Sequence, residues 1–181
     1  NGELLNIVKK TIQYTKMDYV SDISYLERAL VVAGSYKMDA GNNEVYPFEW
    51  PVSPVWTSLW LQNRLYQSGY SKVDTALFYS GYIQLTNPTI TNSWNDGVGV
   101  INYRGWGNAQ GWAKPEFQID EVGSLSYTYD LPVVFSFVCN TGDFGNDVDP
   151  SFGESLIRAG SVSGGGRGAA CPGQVLRHPA T

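Results

Sequence analysis

Histidine is nearly absent from this chain, and cysteine is scarce. Among 181 residues there is one histidine, His178, and there are two cysteines, Cys139 and Cys171. A metal site built on several histidines is therefore excluded, and a mechanism that needs a histidine base must take it from the C-terminal tail. A disulfide between the two cysteines is compatible with the sequence, although nothing in their spacing requires it.

Charge and long apolar runs are also limited. Charged residues make up 16% of the chain and the formal net charge is −5, so nucleic acid is not an expected partner. No apolar stretch approaches the ~20 residues that a membrane span needs, and no signal peptide is recognisable. Because the first residue is Asn instead of Met, we expect a mature product or a fragment.

Apolar and aromatic residues are present in the proportions of a globular domain. Hydrophobic residues account for 43% of the chain and aromatic residues for 14%, and the length is sufficient for one domain with a core. Four short apolar runs predict buried strands, at residues 29–35, 75–81, 98–103 and 132–139.

Helical patterns separate these runs. Leu4, Leu5, Val8 and Ile12 repeat at helical spacing, and the lysines of the same segment are expected on a solvated face. The pairs Ser53-Pro54, Asn87-Pro88 and Asp149-Pro150 each predict a helix start. The alternation predicts an α/β fold with a mainly parallel sheet of about four strands and helices on both faces. The functional crevice of such a sheet lies beyond the carboxyl ends of its strands.

Residues 161–181 break this pattern. They contain five Gly, no Asp or Glu, and the only His, and they supply no fifth apolar strand after the last helix. Three interpretations of this Gly-rich tail stay open: a natural flexible tail, a processed end, or a sequencing frameshift that makes it an artefact.

Cys139 ends the fourth apolar run and is followed by a turn that contains Gly142. A thiol at the carboxyl end of a strand can face the crevice, with its own backbone N–H directed at a substrate oxygen. This is the arrangement of a cysteine nucleophile with an oxyanion hole. The alternative is that Cys139 is a small residue of the core.

Carboxylates follow Cys139 closely in sequence. Asp143, Asp147, Asp149 and Glu154 suggest a calcium site, but their spacing is not that of an EF-hand. Asp149 is also the predicted N-cap of the last helix, and Glu154 lies in its first turn, where the helix dipole favours it. We therefore expect no cofactor, with calcium as the alternative.

Three segments together resemble the gingipain-type cysteine peptidases of the caspase-like clan: NDGVGVINYRGWG, DLPVVFSFVCNTGDF and FGESLIRAG. In that family one strand ends in Asn-Tyr-x-Gly-His-Gly and supplies the catalytic histidine, and the next ends in the nucleophilic cysteine. A helix with the pattern Phe-x-Glu-x-Leu-x-Arg-Ala follows. The resemblance implies a gingipain-type peptidase domain over residues 4–160, as its incomplete C-terminal part, and a caspase-like or gingipain-like fold.

The resemblance also implies roles for single residues. It places Cys139 at the nucleophile, and it places the backbone N–H groups of Gly107 and Cys139 in the oxyanion hole. Asn102, Tyr103 and Gly105 match the scaffold of the loop that carries the histidine.

The residue at the histidine position itself departs from the family, because it is Trp106. An indole N–H donates a hydrogen bond but accepts no proton from a thiol, and His178 in the tail is not expected to replace the missing base. Tyr36, or a near neighbour, falls where arginine-specific members keep the acidic residue that orients the histidine. By a looser analogy, Asp39 and Glu44 line a specificity pocket for a basic side chain.

Two functions remain open at this point. The first is a cysteine endopeptidase that acts through Cys139 on peptides or proteins and is degenerate because of Trp106. The alternative is a non-catalytic pseudopeptidase in which Trp106 and Trp112 form an aromatic wall for a peptide or glycan; as a simpler option, Trp106 only packs. The resemblance implies a secreted or cell-surface location and a place in a larger multidomain protein.

Overall fold

The fold is built around a parallel sheet of four strands. The computed structural model describes residues 2–34, 53–78, 87–126 and 128–161. Strands β1 (Arg28–Ala33), β2 (Lys72–Leu77), β3 (Val100–Arg104) and β7 (Val133–Phe137) lie in the order β2-β1-β3-β7. All three strand pairings are parallel. The four predicted strands and their parallel arrangement are therefore confirmed.

Helices cover both faces of this sheet, as predicted. They are α1 (Gly2–Lys16), α2 (Ser53–Gln67), α3 (Asn87–Asn95), α4 (Ile119–Ser124) and α5 (Phe152–Arg158), with a short 3-10 helix at Ile23–Glu27. The alternating side chains of β1 show the two layers. Val31 packs with Leu61 and Leu65 of α2, whereas Leu30 joins the larger core on the opposite face.

A second, smaller sheet lies beyond the end of β3. Its strands are β4 (Gly107–Asn108), β5 (Gly111–Ala113) and β6 (Glu116–Gln118), paired antiparallel in that order. The sequence did not predict it, because strands of two or three residues are too short to show an alternating pattern. This small sheet carries Trp112 and Phe117 into the larger core, where both are fully buried.

Helix α1 is attached to the domain by its polar face. Lys10 is 3% exposed, and its ammonium donates to the carbonyl oxygens of Leu156 (3.0 Å) and Ala159 (2.8 Å) at the end of α5. Carbonyls at a helix C-terminus lack helical donors, and a cation is favoured there. The expectation that the lysines of α1 are solvated is therefore wrong for Lys10.

The apolar positions that predicted α1 point outward. Leu4, Leu5, Val8 and Ile12 are 64%, 58%, 47% and 48% exposed, respectively. The helix itself is confirmed, but its apolar stripe contributes little to the core. Among the described helices, none has both the length and the apolar character to cross a membrane.

The buried lysine makes stability depend on pH. Burial lowers the pKa of Lys10 from its ordinary 10.5 to about 8. Between these values the unfolded chain holds more protons than the native protein, so stability rises with pH, by up to about 3 kcal/mol over the whole interval. We expect Lys10→Met to remove this rise in urea unfolding measured from pH 7.5 to 10, whereas Lys16→Met, on the exposed side of α1, keeps it. An equal rise in Lys10→Met would contradict the assignment.

The upper limit of that pH range is set by a buried tyrosine. Burial raises the pKa of Tyr25 to about 12. Above pH 10 the unfolded chain therefore loses a phenolic proton that the native protein retains, and stability falls. Measurements below pH 10 separate the lysine from this opposite effect.

Candidate active site

The carboxyl ends of β3 and β7 lie side by side and bring two glycine-containing loops together. Arg104 pairs with Phe137 in the parallel register, so the residues that follow each strand are neighbours. A Cβ added to Gly107 would lie 3.2 Å from the Val138 side chain. Residues 105–110, which follow β3 and include β4, are called here the Gly107 loop. This loop therefore contacts the residue immediately before Cys139, at the edge where a parallel sheet carries its functional crevice.

Cys139 begins the turn after β7. It is a free, partly exposed cysteine, unlike Val134 and Val138, which are buried. The next residue, Asn140, has φ +59°, a left-handed conformation that asparagine tolerates better than most residues. This turn directs the chain away from the sheet and leaves Cys139 at the border of the core.

Gly107 is constrained by its neighbour across the small sheet. A Cβ at this position would lie 2.5 Å from the Gly111 carbonyl oxygen, so only glycine fits without a backbone shift. Ala113 donates its N–H to the Trp106 carbonyl at 2.9 Å, which makes Gly107 and Trp112 the next, non-hydrogen-bonded pair of the antiparallel ladder. The Gly107 N–H thus points away from β5 and is not used by that ladder.

Trp106 has a fixed backbone and a partly exposed side chain. Its carbonyl oxygen lies 2.5 Å from the Tyr103 hydroxyl, in addition to the bond from Ala113. Burial raises the pKa of Tyr103, so the hydroxyl stays protonated and donates. None of these bonds involves the indole, so the same backbone hydrogen bonds are available to another side chain at residue 106.

The structure corrects the prediction for Trp112. Its side chain is fully buried, its indole N–H donates to the Ser136 hydroxyl at 2.9 Å, and its ring stacks on Tyr103 with centroids 4.4 Å apart. An aromatic wall that includes Trp112 is therefore wrong, since Trp112 offers no surface to a ligand. The reason is its position in β5, where alternation turns it toward the core.

Two hydroxyl residues beside Cys139 were missed by the sequence analysis. Ser136 and Thr141 are 1% and 2% exposed, and their hydroxyl oxygens lie 3.0 Å apart. The sequence contained one signal for this pair, a serine within the otherwise apolar run VVFSFV. A serine in a buried strand indicates a nearby polar partner, because a buried hydroxyl needs a hydrogen bond.

Several predicted residues lie outside the described ranges. These are Tyr36, Asp39, Glu44, Cys171 and His178. Their assigned roles, and the character of the Gly-rich tail beyond Ser161, stay predictions. Asn102 lies within β3 and Gly105 directly follows this strand, and their role as the scaffold of the loop stays a prediction.

Two of the four carboxylates that follow Cys139 pair with the Arg158 side chain. Asp149 and Glu154 lie 2.7 Å and 3.5 Å from the Arg158 guanidinium, and the Glu154 carboxylate also accepts the Ser151 N–H. Ser151, and not Asp149, is thus the N-cap of α5. Within the described ranges no group of three or more His, Cys, Asp or Glu is placed to hold a metal ion, so the calcium alternative has no support there.

Comparisons with known proteins agree on one family. Residues 1–170 match the sequence model of Peptidase family C25. Gingipain R2 of Porphyromonas gingivalis is 28% identical over 160 residues, which is 87% of this chain and 20% of that relative. Lys-gingipain of the same species is 26% identical over 176 residues, 86% of this chain and 8% of the relative.

A solved structure matches the fold. The Arg-specific cysteine proteinase gingipain R superimposes with a TM-score of 0.73 at 26% identity, over 92% of this chain and 35% of that one. The chain therefore spans a fifth or less of these two curated relatives, and about a third of the solved gingipain R chain.

Proposed function

Because this chain belongs to peptidase family C25, we propose that it is the nucleophile-bearing part of a cysteine endopeptidase. The resemblance to gingipain-type peptidases and the gingipain-like fold are both confirmed. Peptides or proteins are the proposed substrates, and the short span of the relatives that the chain covers supports a place in a larger multidomain protein. By the same resemblance we propose a secreted or cell-surface location.

One observation carries this proposal: a free, partly exposed Cys139 follows one strand, and the Gly107 loop follows its neighbour and contacts Val138. The Cys139 thiolate would attack a peptide carbonyl carbon, and the carbonyl oxygen would become an oxyanion. The N–H groups of Gly107 and Cys139 are the proposed donors to that oxyanion. Collapse of the tetrahedral intermediate expels the amine and leaves a thioester at Sγ, which water then hydrolyses.

Proton transfer is the weak step of this mechanism. The attacking thiol must lose a proton and the leaving amine must gain one, and histidine usually does both. Trp106 does neither, and the chain's single histidine, His178, lies outside the described residues. In this proposal the thiol proton passes to solvent and the leaving amine takes its proton from solvent, so the reaction is slow compared with that of a peptidase that has a histidine base.

A peptidyl acyloxymethyl ketone probe tests the nucleophile directly, since it alkylates a cysteine held in a peptidase site. The panel carries Arg, Lys or Leu before the ketone, because one relative is Arg-specific and another is named Lys-gingipain. We expect labelling of the wild-type chain at Cys139, identified by peptide mapping, and its loss in Cys139→Ser. Absence of wild-type labelling by all three probes would overturn the peptidase proposal.

The partly exposed indole of Trp106 favours a second candidate function. In this alternative the chain is a pseudopeptidase that binds peptide or glycan beside Trp106 without cleaving it. The same panel separates the two functions, because a pseudopeptidase leaves Cys139 unlabelled. Trp106 would act without Trp112, which is enclosed in the core.

A further inference from the structure

We propose that Trp112, Ser136 and Thr141 are positioning residues that hold the Cys139 turn in register with the Gly107 loop. This inference rests on the proposed function, since the two segments it joins carry the proposed nucleophile and oxyanion donors. The three residues form a buried hydrogen-bonded unit, called here the Trp-Ser-Thr unit, directly beneath the candidate site.

The sheet register places the first half of this unit. Tyr103 of β3 and Ser136 of β7 are direct partners in the parallel pairing, so their side chains lie next to each other on the same face of the sheet. Trp112 crosses both: its ring stacks on Tyr103 with an interplanar angle of 13°, and its N–H donates to Ser136 at 2.9 Å. One indole thereby connects the small sheet to both strands.

The second half of the unit reaches the nucleophile. The Ser136 hydroxyl accepts from Trp112 and lies 3.0 Å from the Thr141 hydroxyl. Thr141 follows Cys139 by two residues, so Cys139 lies in the short segment between Ser136 and Thr141. Because both hydroxyls are buried and partnered, loss of either hydroxyl leaves a polar atom unsatisfied and should loosen this segment.

The start of α5 provides a parallel connection between the same two loops. Phe152 donates its N–H to the Ala109 carbonyl at 2.8 Å, and Gly153 donates its N–H to the Thr141 carbonyl at 2.7 Å. A Cβ on Gly153 would lie 2.9 Å from that Thr141 oxygen, so the approach is close. Thr141 is thus held through its side chain and its carbonyl, and is the residue at which the unit is best tested.

The test compares two substitutions of Thr141 that remove different parts of the side chain. Thr141→Val keeps the shape and removes the hydroxyl, whereas Thr141→Ser keeps the hydroxyl and removes the methyl group. We expect Thr141→Val to slow probe labelling of Cys139 by about tenfold to a hundredfold, as displacement of a reacting group does. Thr141→Ser should label within about twofold of the wild type, since the hydroxyl that positions the turn is kept. Thr57→Val removes a hydroxyl on α2 that bonds to Ser53 and should leave labelling unchanged.

Amide hydrogen exchange provides a readout that does not require activity. In Thr141→Val, and in Trp112→Phe, which keeps an aromatic ring without the N–H, we expect faster exchange at residues 138–142 than in the wild type. If the wild type is not labelled at all, the peptidase proposal fails. Hydrogen exchange then still tests whether the Trp-Ser-Thr unit holds the Cys139 turn. The inference is overturned if Thr141→Val exchanges like the wild type, or if Thr141→Ser is affected as strongly as Thr141→Val.

Discussion

Replacing Trp106 with histidine is expected to raise the rate of peptide-bond hydrolysis by about 10²- to 10⁴-fold, the usual contribution of a general base. The backbone at this position should accept the substitution, because the Trp106 carbonyl is hydrogen-bonded to Tyr103 and Ala113 and the indole takes no part in these bonds. A histidine side chain would start from the same backbone, on the loop that contacts Val138 beside the thiol. Hydrolysis is measured with fluorogenic peptides that carry the same Arg, Lys or Leu residues as the probe panel.

Two variants separate a gained base from other effects of the substitution. Trp106→Phe also removes the indole but supplies no base, so its hydrolysis rate should stay near that of the wild type. The double variant Trp106→His with Cys139→Ser should show no gain, because the nucleophile is absent. A gain that survives the loss of Cys139, or an equal gain in Trp106→Phe, would refute the assignment of residue 106 as the vacant base position.

Gly107→Ala is expected to slow probe labelling of Cys139 by about 10²- to 10³-fold, the usual effect of losing one oxyanion-hole donor. The added Cβ would lie 2.5 Å from the Gly111 carbonyl oxygen and 3.2 Å from Val138. Since the first contact is with backbone, β4 must move, and the N–H of residue 107 moves with it. The shift should also lower the free energy of unfolding by about 1–3 kcal/mol, the range of an overpacked site.

Gly123→Ala is the matched control for this substitution. Gly123 lies within α4, and a Cβ added there has no atom within 4 Å. Alanine is favoured over glycine inside a helix by about 0.5–1 kcal/mol, so the variant should be slightly more stable and label normally. Normal labelling of Gly107→Ala, with urea unfolding like that of Gly123→Ala, would show that the glycine is not needed for the site.

The main sheet was predictable from the sequence because its strands lie in short apolar runs, although only β1 is buried on both faces. Residues such as Val31, Ile101 and Val134 belong to continuous apolar runs, and such runs between helical patterns indicate a parallel sheet. The site loops were predictable for the same reason, since Gly107 and Cys139 follow the ends of those runs. The strand order β2-β1-β3-β7 was not predicted, because apolar runs do not identify their neighbours.

The errors came from residues whose environment depends on distant parts of the chain. Trp112 stands in a glycine-rich loop sequence, but strand pairing with β6 turns it into the core. Lys10 lies on a helix with an apolar stripe, yet the polar face of this helix is the buried one. The reason is that carbonyls at the end of α5, which lack helical donors, accept hydrogen bonds from the Lys10 ammonium. Thr141 gave no signal, since only folding brings its hydroxyl to Ser136.

The attachment of α1 has a calorimetric consequence. Its two buried residues are Lys10 and Gln13, and further contacts to the α5 end are the Asn6 amide bond to the Gly160 carbonyl and the Glu3–Arg158 ion pair. Exposure of polar surface lowers heat capacity, whereas exposure of apolar surface raises it. On heating, separation of α1 from the domain should therefore change the structure with almost no change in heat capacity. Added salt should promote this separation, because it screens the Glu3–Arg158 ion pair.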